Sequence, residues 1–138
     1  MRACFDATIE ELEHALAQCG GTPDTEDVRP PEAGLVMLRG RIGGDGAPFN
    51  VGEATVTRAV VRLANGTLGY SYLLGRSEQR ARLAAIVDAL GQEEAWRARL
   101  ETALVRPVAA RREAELMRER QETAATRVNF FTLVRGED

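Results

Sequence analysis

The sequence predicts an α+β protein: a small antiparallel sheet with a central hairpin, helices packed on one face, and a late C-terminal strand. Three observations carry this. The strand signals cluster in residues 34–74 around an Asn65-Gly66 pair, and Asn-Gly between alternating apolar runs is the strongest short-range hairpin signal. Apolar residues at helical spacing lie before and after that block and not between its strands, so the strands lack crossover helices and pair antiparallel. Residues 126–134 (TRVNFFTLV) then return to strand composition after the last helical stretch. Being apolar on both faces, that strand suits the middle of a sheet or a partner's cover.

Taken in order, the 138 residues are expected to form one domain, spanning 1–138 and long enough to bury a core. Phe5, Ile9, Leu12, Leu16 and Cys19 repeat at helical spacing. Thr8 and Glu11 have capping-box spacing, with Asp6 as the competing cap. Gly20 and Gly21 end this helix by allowing a left-handed turn. Residues 22–31 (TPDTEDVRPP) predict a polar loop, since prolines discourage regular structure there. Residues 35–42 alternate, with Val36, Leu38, Gly40 and Ile42 as the apolar face and Gly40 leaving room for a bulge or a close neighbour. Residues 43–52 (GGDGAPFNVG) predict a second loop.

A type I′ turn at Asn65-Gly66 pairs Ala64 with Thr67, Leu63 with Leu68, Val61 with Tyr70, Ala59 with Tyr72 and Thr57 with Leu74. That face is apolar and predicted to pack on the helices. The opposite face carries Arg58, Val60 and Arg62 against Gly69, Ser71 and Leu73. Slipping the register by one residue exchanges the faces of a strand.

Ser77 predicts the next N-cap, and Leu83, Ile86, Val87 and Leu90 form the stripe of a helix that Gly91 stops. From Glu93, Trp96, Leu100, Ala103 and Leu104 mark another helix until Pro107 breaks or kinks it. Residues 107–123 (PVAARREAELMRERQET) resume as a helix with a narrow apolar stripe and the pairs Arg111–Glu115 and Arg118–Glu122. Its charged surface reads either as a solvated face or as a grip on a partner.

Composition narrows the function classes. A net charge of −3 supplies no general attraction to nucleic acid or to an anionic membrane. No apolar run approaches the roughly 20 residues of a membrane span, so a cytoplasmic location with reduced thiols is expected. All 18 basic residues are arginine, which leaves no lysine for a Schiff base or a P-loop. Cys4 and Cys19 would sit some ~22 Å apart along a helix, too far for a disulfide. With His14 the only histidine, no His/Cys metal site is expected.

Two stretches invite a chemical reading. Residues 40–46 (GRIGGDG) lack the Lys-Ser/Thr of a P-loop, and Pro48 follows where a dinucleotide fingerprint needs a helix. They remain a flexible connection or a generic phosphate nest. In residues 52–58 (GEATVTR), Glu53 is a candidate general base or orienter of the Thr55 hydroxyl, and Arg58 a candidate anion contact. Glu53 and Arg58 read equally well as a structural ion pair.

Three segments together carry a family resemblance. They are residues 32–46 with the ending RIGGDG, residues 52–58 followed by Val61-Arg62-Leu63, and residues 126–138 (TRVNFFTLVRGED). In this order and spacing they resemble PhnG, the G-subunit family of the carbon–phosphorus lyase system for phosphonate breakdown. Proteins similar to these carry a further tryptophan-containing stretch ahead of the first helix that this chain lacks. The resemblance implies work with H, I and L subunits to displace adenine from ATP with an alkylphosphonate. The J subunit later cleaves the product. It also implies a core complex of G, H, I and J subunits, so a homodimer or hetero-oligomer, with ATP a substrate of the complex and no cofactor assigned to this chain. The family has no agreed catalytic residue in G. The candidates are therefore Glu53, Thr55 and Arg58 for chemistry, and Arg39, Arg41, Arg62, Arg127, Asn129 and Arg135 for a partner interface or an anion. A pure assembly scaffold is the alternative.

Overall fold

The computed structural model describes residues 2–43 and 45–126. Helices α1 (Arg2–Asp6) and α2 (Ile9–Cys19) precede strands β1 (Thr25–Gly40), β2 (Phe49–Leu63) and β3 (Leu68–Leu74). Helices α3 (Glu78–Leu90), α4 (Glu94–Leu100) and α5 (Arg106–Ala125) follow, with a π-helical turn at Glu101–Val105. The three strands form one antiparallel sheet in the order β1-β2-β3. Helix α3 packs across β2 and β3, and α2 packs on α3 together with α4 and the π turn. This is the expected α+β architecture with helices on one face. The expected strand at residues 126–134 lies outside the described residues, Thr126 excepted.

Local signals place the helices well. The capping box forms in full: Glu11 N–H donates to Thr8 Oγ1 at 3.2 Å, and Thr8 N–H donates to Glu11 Oε2 at 2.8 Å. Gly20 and Gly21 take φ of 123° and 95°, the left-handed region expected of them. The core joins Leu12 and Leu16 of α2 to Ile86 and Leu90 of α3, Val61 of β2, Leu104 and Val108. Four alanines of α3 are also buried there, Ala81, Ala84, Ala85 and Ala89, so the helix lies low on the sheet.

Four sequence expectations need correction. Residues 22–31 are not a loop throughout, because β1 begins at Thr25 and runs through Pro30 and Pro31. An edge strand tolerates proline on its outer side, and the ladder shifts register on both sides of Arg29 to absorb the pair. Arg82 of α3 anchors this entry, donating to Asp27 at 2.9 Å and to Thr25 Oγ1 at 2.9 Å. Second, β2 starts at Phe49, so the loop predicted over 43–52 is confined to residues 41–48. Gly40 does have its close neighbour: a Cβ there would lie 2.6 Å from the Val51 side chain.

The third correction is the hairpin register. Arg62 pairs with Leu68, Val61 with Gly69, Val60 with Tyr70 and Arg58 with Tyr72, one residue away from the predicted pairing. The turn has three residues, closed by Gly66 N–H to Leu63 O at 2.8 Å and Leu63 N–H to Thr67 O at 2.9 Å. Within the turn Gly66 alone is left-handed, at φ 88°, and among the described residues no non-glycine residue has positive φ, whereas a type I′ turn needs it at both central positions. The face of β2 is as predicted, with Thr57, Ala59, Val61 and Leu63 buried. The face of β3 is inverted: Gly69 and Leu73 are buried, and Tyr70 and Tyr72 are exposed. Close packing on α3 is the physical reason, since a Cβ on Gly69 would stand 2.0 Å from Ala85 O and 2.7 Å from Ala89 Cβ.

Fourth, of the two outcomes expected at Pro107, a break or a kink, the break does not occur: helical structure runs through the π turn into α5. Arg106 N–H reaches back five residues to Glu101 O in the π turn, and Pro107 occupies the first turn of α5. A wider turn ahead of the proline accommodates its ring and missing donor.

Candidate functional site

The outer sheet face is built by strand alternation. Arg58 and Arg62 of β2 stand beside Tyr72, Tyr70 and Leu68 of β3, and Glu32 and Glu26 of β1 stand opposite them. Arg58 donates to Glu32 Oε1 from Nε at 2.7 Å, and Arg29 donates to the same oxygen at 3.1 Å. Arg58 first, and Arg29 after it, hold the Glu32 carboxyl below its ordinary range. Arg62 meets Glu26 at 3.4 Å. All these groups are exposed, so the pairs order the face more than they stabilise it.

The expected pairing of Glu53 with Arg58 is not formed. Residues 53 and 58 are an odd number of steps apart in one regular strand, so they project from opposite faces. Glu53 is exposed and sits opposite Met37 in the ladder, and Thr55 is half-buried. Thr55 serves structurally, its carbonyl accepting from Gly75 N–H at 2.9 Å. Its neighbour Thr57 is wholly buried and donates to Gly75 O at 2.7 Å while accepting from Ser77 N–H at 3.1 Å. Together they lock the turn between β3 and α3. Arg39 pairs with Asn50 and Arg41 lies in the hairpin loop, both exposed. Arg127, Asn129 and Arg135 lie outside the described residues.

Beyond Val56, where β3 ends its pairing, β1 and β2 continue as a two-stranded ribbon. Leu35 and Met37 are 65% and 56% exposed, and Leu38 on the opposite face is 47% exposed. Ile42, Phe49 and Val51 at the far end are exposed as well. A two-stranded ribbon gains little from pairing alone and is marginal in water without a packed face. Leu38 and Ile42, expected on the apolar face of residues 35–42, are thus exposed. The signal for an uncovered ribbon was the apolar character of both alternating sets.

Helix α5 is tied to the body at one end. Arg111 donates to Glu11 at 2.7 Å and to Glu115 at 2.7 Å, and Arg112 reaches Glu115 at 2.8 Å and Asp6 at 3.4 Å. The pair Arg111–Glu115 was expected. Arg118–Glu122 does not form an ion pair among the described residues. Beyond Glu115 every residue of α5 is exposed. The Arg111 contact is the leading cause that holds Glu11 below its ordinary value of 4.5. Glu11 therefore contributes stability at neutral pH that is lost as pH falls through its lowered folded value. Glu11→Gln preserves the capping-box geometry and is expected to cost about 1–2 kcal/mol at pH 7. In denaturant titrations that gap closes as pH drops below about 4.5. A gap that stays constant down to pH 3 would refute the ion-pair assignment.

Among the described residues no group of His, Cys, Asp and Glu side chains is placed to hold a metal ion, and no helix is long and apolar enough to cross a membrane. Fold and surface together define a small α+β protein with an arginine-and-tyrosine sheet face and an uncovered apolar ribbon. The chain belongs to the PhnG family: residues 1–136 match the family described as "Phosphonate metabolism protein PhnG". A curated relative from Rhizobium meliloti (strain 1021), "Alpha-D-ribose 1-methylphosphonate 5-triphosphate synthase subunit PhnG", is 57% identical over 138 residues. The match covers 100% of this chain and 88% of that protein. The resemblance read from three short segments is thus a whole-chain relationship within phosphonate metabolism.

Proposed function

We propose that this chain is an assembly subunit of a carbon–phosphorus lyase complex, working in the cytoplasm with H, I, J and L subunits and carrying no reaction of its own. The ribbon is the observation that supports this most directly. It exposes large apolar side chains on both faces, as expected of a segment that is completed by another polypeptide. The candidate chemistry supports the same reading. Glu53 and Arg58 face opposite ways, and the Arg58 guanidinium is occupied by Glu32.

The second reading is a contribution to the synthase step in which an alkylphosphonate displaces adenine from ATP. Arg58 favours it, as one of two guanidiniums sharing a single carboxylate, which leaves positive charge for an anion. Adenine release by the assembled complex separates the two. Under the assembly reading, Glu53→Gln and Arg58→Ala leave turnover within about twofold of the parent complex, a change of roughly 0.4 kcal/mol. A loss of 100-fold or more with intact assembly would be about 2.7 kcal/mol of transition-state stabilisation, and would transfer the proposal to the second reading.

A further inference from the structure

Helix α5 carries a charge pattern that is incomplete within one chain. On the body side its charges are paired, Arg111 with Glu11 and Glu115, and Arg112 with Asp6 and Glu115. Glu113 and Arg120 are exposed and make no ion pair among the described residues. Side chains three and four positions away on a helix are the ones within reach. For Glu113 these are Ala109, Ala110, Leu116 and Met117, and for Arg120 they are Leu116, Met117, Thr123 and Ala124. None is charged.

Glu113 and Arg120 stand two turns apart on one face, with Leu116 and Met117 between them. That face is the floor of a hollow of about 800 Å³, with Phe5 of α1 in the opposite wall. Phe5, Leu116 and Met117 are all exposed there. Beyond Glu115 no residue of α5 is buried against the body, and a helix end this short is marginal in water by itself.

The face is its own complement under a two-fold axis. Laid antiparallel about the point between Leu116 and Met117, each Leu116 stands beside the partner's Met117, and each Glu113 faces the partner's Arg120. Ala109 then faces the partner's Ala124, and small side chains at both ends permit the interaxial distance of ~8–10 Å at which helices pack. A parallel pair on the same face instead sets Glu113 on Glu113 and Arg120 on Arg120, like charges in register. We propose that a second copy of this chain occupies the groove, the two α5 helices packing antiparallel with Glu113 of each against the partner's Arg120. The projecting half of each helix then lies between α1 and the anchored half of the other. Such a contact uses the same patch twice, so it closes at two copies. It goes beyond the assembly reading, which concerns other subunits and rests on the ribbon.

Sedimentation equilibrium of the full chain over a concentration series tests this. The comparison set is Glu113→Arg, Arg120→Glu, the double variant, and an equimolar mixture of the two single variants. The parent should form a dimer. Each single variant turns both cross-helix pairs into like-charge pairs and should weaken the dimer at least roughly tenfold. The mixture and the double variant restore opposite charges at both contacts and should return to within about threefold of the parent. Recovery in the mixture also shows that each single variant is folded. A parent chain that stays monomeric at every concentration overturns the proposal and leaves the groove to a different polypeptide. Self-association that neither single variant weakens overturns it too, by placing the contact on another surface. So does weakening that the mixture fails to restore, because the antiparallel register requires that recovery.

Discussion

Gly69→Ala destabilises the chain by roughly 3 kcal/mol, at the upper end of what overpacking a tight site costs. The added methyl would stand 2.0 Å from the Ala85 carbonyl oxygen, so either α3 lifts from the sheet or β3 shifts. Lifting α3 opens the contact that carries Ala59, Val61, Ile86 and Leu90, the centre of the core. For a domain of this size the loss corresponds to a melting-temperature drop of roughly 10 °C. Gly34→Ala serves as the control, because nothing lies within 4 Å of its added Cβ. The measurement also decides the register. In the pairing expected from a two-residue turn, Gly69 sits on the outer face and its alanine variant is neutral, while Tyr72→Ala is the damaging change. In the structure Tyr72 is exposed, and its truncation should cost under about 1 kcal/mol. A neutral Gly69→Ala together with a costly Tyr72→Ala would reject the observed hairpin.

Charging the ribbon should separate folding from assembly. Leu35→Asp/Met37→Asp alters two side chains that are exposed in the isolated chain, so its own stability changes by under about 1 kcal/mol. If a partner covers that face, each side chain contributes roughly 1.5–3 kcal/mol of burial. Losing both weakens association by roughly 10³-fold. Size-exclusion chromatography of the chain co-expressed with H, I and J subunits reads this out directly. The parent should co-elute with them, and the double variant should elute alone with an unchanged melting curve. Co-elution of the variant would place the interface elsewhere and remove the main support for the assembly reading.

Legibility in the sequence followed the range of the forces involved. Thr8 and Glu11 were read correctly because a capping box is settled within four residues. The α3 stripe and the buried face of β2 were equally legible, since each depends only on spacing. For the site, Arg58 and Arg62 were placed correctly on the outer face, but their partners Glu32 and Glu26 were not named. Those carboxylates come from β1, whose entry through Pro30 and Pro31 looked like loop. Glu53 was grouped with Arg58 for nearness in sequence, although strand alternation sends them to opposite faces.

The sequence by itself determined the fold class, the helix starts, the inward face of β2 and membership of the PhnG family. All of these rest on periodicity, capping chemistry or residue identity along short stretches. Only the tertiary structure decided the face of β3, the strand through two prolines, the continuation past Pro107 and the uncovered ribbon. At each of these places local preference admitted two conformations of similar energy. Contacts between distant parts of the chain chose for β3 and β1, Ala85 and Ala89 against Gly69 and Arg82 against Asp27; at Pro107 the π turn made the choice, and the ribbon begins where pairing with β3 ends.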